Sequence, residues 1–157
     1  MEIPVKYGIV LGVIVGAMGF ALAILGLHTN AMAPMAFVIA AIIVNVVIVV
    51  LATQRTAPNS NWSRQVLNGL VLGVVGAAII FLSSWVMTAV VFPDYYAEFA
   101  EAARQRAIAS GLSATEIEEA VAMASGTPVG TAFSGASGTV ITSVVVAAIA
   151  GYFKRTR

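Results

Sequence analysis

Four long apolar runs alternate with short polar connections along this chain, and a single hydrophilic stretch, Asp94 to Pro128, breaks the pattern. The first run, Tyr7 to Leu27, holds 21 residues and no charge. At the rise of an α-helix it spans about 30 Å, the hydrocarbon thickness of a bilayer. A cleaved signal peptide is the competing reading, but its apolar core is only ~7–15 residues long and its start is basic, whereas Glu2 stands here. The second run, Met35 to Thr53, is rich in Ile and Val, and its uninterrupted length predicts a membrane helix rather than a strand. The third extends from about Val66 to Phe92, where Pro93 ends it, and the fourth from about Gly130 to Phe153. The expected fold is an all-α integral membrane protein, one domain over 1–157, with transmembrane helices at about 7–27, 35–53, 66–92 and 130–153.

The hydrophilic stretch reads as two helices. Tyr96, Phe99, Ala103 and Ala107 recur at helical spacing and form one apolar face, while Glu98, Glu101, Arg104 and Gln105 point elsewhere. Gly111 suits a C′ position. Ser113 followed three residues later by Glu116 matches a capping box, and Ile117, Ala120, Val121 and Ala124 make the face of the second helix. Gly126 and Pro128 stop it. A helical hairpin is therefore expected at 94–126, lying against the membrane, the bundle or a partner, since faces this narrow bury too little area to fold alone.

Small residues stand four apart on three of the four long helices. Gly8, Gly12 and Gly16 form overlapping GxxxG motifs, Gly69 and Gly73 begin a second stripe, and Gly135, Thr139, Ser143, Ala147 and Gly151 make the longest. Such stripes let helix backbones approach closely where lipid removes the hydrophobic drive to associate. GIVLGVIVGA from Gly8 also resembles GLVLGVVGA from Gly69. A duplication about an axis along the membrane normal gives that pattern, and so does the ordinary composition of membrane helices.

Charge sets the orientation. Lys6, Arg55, Arg64, Lys154, Arg155 and Arg157 flank one side of the four spans and only Arg104 and Arg106 the other, which predicts cytoplasmic termini and an extracytoplasmic hairpin. Tyr7, Trp62 and Tyr152 mark the inner interface, and Trp85, Tyr95 and Tyr96 the outer one. At 60% hydrophobic and 10% charged residues the chain lies outside soluble composition. Its net charge of +1, with no basic cluster, argues against a nucleic-acid partner.

Candidate chemistry is sparse. With no Cys there is no thiolate chemistry or Cys-based metal site. His28, the only His, has no second ligand in sequence and reads as an interfacial polar residue. The acidic residues Glu98, Glu101, Glu116, Glu118 and Glu119 lack the spacing of a calcium loop and read as caps and solvated charge. No Ser/His/Asp constellation, phosphate loop or HExxH occurs, so no enzyme activity, metal or cofactor is expected. No Asp, Glu, Lys or Arg lies within a span, which speaks against an ion-coupled pump. Asn45, near the middle of the second span, needs a partner in hydrocarbon and is a candidate for an interhelical hydrogen bond or for a polar cavity. Intramembrane Ser and Thr are expected to bond their own helix backbone or a neighbour.

Three stretches, VKYGIVLGVIVG, FPDYYAEF and LSATEIEEAVAMA, carry a resemblance to a bacterial family of unknown function made of small four-helix inner-membrane proteins. That resemblance implies a multi-pass protein of the bacterial inner membrane and assigns no activity and no functional residues. The leading expectation is a non-catalytic accessory or structural subunit, or a homo-oligomer, packing through its small-residue stripes against protein partners in the bilayer. The alternative is a small transporter or a lipid- or solute-binding protein with a polar cavity near Asn45. Convergence of Asn45, Thr139 and Ser143 on an accessible space is the mark of the cavity, and their burial with partners the mark of the subunit.

Overall fold

A computed structural model describes residues 2–154, so the basic residues Arg155 and Arg157 lie outside the described part. Six α-helices follow in order: α1 (Glu2–Ile24), α2 (Ala33–Thr56), α3 (Trp62–Val86), α4 (Tyr95–Ala109), α5 (Ala114–Ala124) and α6 (Pro128–Lys154). No strand occurs among the described residues. Helices α1, α2, α3 and α6 are each long and apolar enough to cross a membrane, and only 17–33% of their most apolar windows is buried within the chain. So much uncovered aliphatic surface has no stable place in water and suits hydrocarbon.

The helix ends differ from the expected ones for local reasons. α1 begins at Glu2 because Pro4 falls in a first turn, where its missing N–H is not needed. It stops at Ile24, ahead of the expected Leu27, since Gly26 turns left-handed at φ 65°. α3 opens at Trp62, four residues early, because the Asn61 side chain accepts from the Arg64 N–H at 2.9 Å and caps it. It closes in a π turn, Met87–Val91, with the Phe92 N–H on the Met87 carbonyl. Pro128 is the first residue of α6 rather than the mere end of α5, in keeping with its fixed φ.

The four long helices form a ring in the order α1, α3, α6, α2. α1 and α3 run parallel. Added Cβ atoms on Gly8, Gly12 and Gly16 would lie 2.7, 2.6 and 2.7 Å from the Leu72 carbonyl oxygen, Ile79 Cβ and Ser83 Oγ respectively. α3 and α6 are antiparallel: a Cβ on Gly69 would collide with Ala147, one on Gly73 would lie 2.9 Å from Ser143 Cβ, and one on Gly151 2.8 Å from Gln65 Cβ. The stripes of α1 and α3 and the second half of that on α6 thus meet helices of their own chain. A two-fold along the normal would put α2 and α6 on opposite sides of the α1–α3 pair, whereas here they touch. The Gly8 and Gly69 segments both lie in close helix contacts, the first against α3 and the second against α6.

α4 and α5 pack on one another across a turn in which Gly111 takes φ 72°, and Arg104 reaches Glu118 at 3.2 Å. Ala107 and Ala124 are the buried members of their two faces. The capping box forms as the sequence predicts: the Glu116 N–H donates to Ser113 Oγ and the Glu116 carboxylate accepts from the Ser113 N–H. Both Ser113 donors hold the Glu116 carboxyl below its ordinary range.

A cavity at one end of the bundle

Beyond the level of Asn45, on the end that carries α4 and α5, the bundle is hollow. The cavity measures about 490 Å³, within the range of pockets that hold small molecules. It is lined by all four long helices and by Tyr95 and Tyr96 of α4, with no charged side chain in its wall. On α1 the tight approach ends at Gly19, where an added Cβ would have 3.9 Å to the Phe37 ring. On α6, Gly135 and Gly138 have nothing within 4 Å of where a Cβ would stand.

Asn45 forms the floor. It is buried, its Nδ2 donates to the Thr139 carbonyl oxygen at 3.2 Å, and its Oδ1 accepts from Ser143 Oγ at 3.0 Å. Asn45 and Thr139 border the cavity, whereas Ser143 is fully buried beneath it. The two marks set for this trio therefore occur together: an interhelical bond that is also a cavity floor. Four other hydroxyls bond their own helices, Ser83 to the Ile79 carbonyl, Thr88 to that of Ser84, Ser134 to that of Gly130 and Thr139 to that of Gly135. The cavity wall is consequently mostly apolar, and the hydroxyl groups it adds are those of Ser84, Thr131, Thr142, Tyr95 and Tyr96.

The roof is built by α4. Tyr95 stacks on His28 at 4.4 Å between ring centroids, and Tyr96 meets Tyr95 edge-on at 5.2 Å. His28 is buried within the chain, and its Nε2 lies 2.8 Å from a Glu98 carboxylate oxygen. Burial, and then neighbouring Tyr96, raises the Tyr95 phenol above its ordinary value. Arg106 donates to the Thr29 carbonyl at 3.4 Å, so α4 is tied to the α1–α2 connection at two points. Gly126 leaves room for the Tyr96 ring, which an added Cβ would approach to 2.8 Å. Sequence reasoning missed the roof because His28 and Glu98 are 70 positions apart and no periodicity links them.

A family model described as protein of unknown function (DUF4199) matches residues 6–156. The chain belongs to this family. No curated protein and no solved structure matches it. As a DUF4199 member it inherits no assigned activity, so any functional reading rests on its own residues. Among the described residues, no three His, Asp or Glu side chains gather as a metal site.

Proposed function

We propose that this is a non-catalytic multi-pass protein of the bacterial inner membrane that holds an apolar molecule in the cavity beneath α4. The supporting observation is the cavity itself: a void of about 490 Å³ with an uncharged wall, in a bundle whose other half has no room for a methyl group on its glycines. Emptiness of that size forfeits packing energy unless something fills it. The excess of Lys and Arg at the end that bears the termini supports cytoplasmic termini and an extracytoplasmic α4–α5 pair. The subunit reading relied on small-residue stripes free to meet other chains, and those of α1, α3 and the second half of α6 are occupied internally.

The test is the intact mass of the complex extracted gently from its native membrane. The expected result is one chain with a small apolar adduct that Gly135→Leu removes. Stoichiometric recovery with another protein and no small molecule would overturn the cavity reading and restore the subunit one.

A further inference from the structure

The cavity has an open side. Its lining residues on α1 and α3 are buried or half-buried, and those that are well exposed all belong to α2 and α6: Val38 and Ile42 face Ser134, Gly135 and Gly138 across the gap. Val38 is 53% and Ile42 47% exposed. α2 and α6 are pinned together at Asn45 and part above it, where α6 presents glycines rather than side chains. Both helices are among those apolar enough to cross the membrane, so the gap faces hydrocarbon and not water.

Resting on the cavity reading, we infer that the occupant is an acyl chain of a bilayer lipid in the leaflet on the α4 side, admitted sideways between α2 and α6. Three observations select it. Pro34 and Asn45, which line the two ends of the cavity on α2, are separated by about 16 Å of helical rise, roughly half the hydrocarbon thickness and so one leaflet deep. The wall offers no charge to attract an ionic solute. The hydroxyl-bearing residues Tyr95, Tyr96 and Thr131 gather at the α4 end, at the level where aromatic residues meet lipid head groups. A chain in the cavity replaces lipid–lipid contacts with contacts to Phe37, Val15 and Met87, and its head group need not leave the interface.

The experiment uses the full chain in vesicles containing a phosphatidylcholine with a diazirine in its acyl chain, with adducts mapped by mass spectrometry. Val15 and Met87, 6% and 7% exposed, border the cavity and are screened from surrounding lipid, whereas Val13 and Val47 are exposed on the outer surface. The expected result is labelling of Val15 and Met87 as well as Val13 and Val47, with Gly138→Leu abolishing only the interior adducts. A parallel experiment uses the small apolar probe trifluoromethyl phenyl diazirine. If the small probe labels Val15 and Met87 and the lipid does not, the cavity reading stands and the acyl-chain inference is overturned. If neither labels them, both fall.

Discussion

The two halves of this bundle are made from the same residue types and differ in what the small residues do. Toward the termini, Gly8, Gly12, Gly69, Gly73 and Gly151 are filled spaces: a Cβ added to any of them would lie within 2.9 Å of another helix. Toward α4, Gly135 and Gly138 are empty spaces, with nothing within 4 Å. One half uses absent side chains to bring backbones together, and the other uses them to keep a cavity open. A small-residue stripe is therefore a statement about permitted approach, not about approach itself.

The sharpest way to break this comparison is to add bulk to each half. Gly69→Leu places atoms where Ala147 and the Ser143 carbonyl already stand, and backbone cannot yield as a flexible side chain can. We expect a loss of about 3 kcal/mol or more, seen as a large fall in Tm in detergent, or failure to accumulate in the membrane. Gly135→Leu should leave the Tm within a few degrees because its side chain enters the cavity, and should expel whatever is bound. Equal damage from both substitutions would erase the distinction between the halves.

How much of this was legible in the sequence depends on the range of the interaction. The four spans were readable because crossing a bilayer is a condition on contiguous residues, and the Ser113–Glu116 capping box because its partners are three apart. Gly8, Gly12 and Gly16 announced a close contact but not its partner on α3. The stripe from Gly135 to Gly151 looked uniform, yet it divides at Thr139 into a lining half and a packing half. Nothing within α6 records that division, because it follows from how far α2 and α3 stand from it. The partners of His28 were missed for the same reason, Tyr95 and Glu98 being supplied by a helix far along the chain.

The boundary between the halves is Asn45, and its removal tests whether the pin matters. Asn45→Ala deletes both the bond to the Thr139 carbonyl and the one from Ser143, which is buried. Hydrogen bonds within membrane bundles contribute about 1 kcal/mol on removal, since the unfolded chain in lipid finds other partners. The expected outcome is a fall in Tm smaller than that of Gly69→Leu, together with faster exchange of the bound molecule as α2 and α6 separate. An unchanged exchange rate would mean that the gap between α2 and α6 is not the route.

A smaller effect belongs to the roof. Glu98→Ala removes the partner of His28 Nε2, but the Glu98 side chain is 57% exposed, so screening limits the change in stability to about 1 kcal/mol or less. Its consequence should be local: amides of 95–109 lose hydrogen-exchange protection while those of α3 and α6 keep theirs. Protection falling evenly throughout would show that α4 is a structural part of the bundle and not a separately held cover.

The least effect is expected furthest from the cavity, at the start of α5. Glu116 carries a lowered carboxyl pKa, chiefly through the Ser113 hydroxyl and then its backbone N–H. A carboxyl depressed in the folded state contributes stability that is fully present above its unfolded value, about 4.3, and is lost as pH falls through the folded one. Lowering the pH from 7 to about 5 should therefore leave the Ser113 and Glu116 amide resonances in place, with loosening of the first turn of α5 only below the ordinary carboxyl range. Ser113→Ala should raise the Glu116 pKa and move that loosening to higher pH, while the Tm of the bundle stays unchanged. A fall in Tm from this substitution would instead link α5, which packs on α4, to the packed half, and would require the cover and the bundle to unfold as one unit.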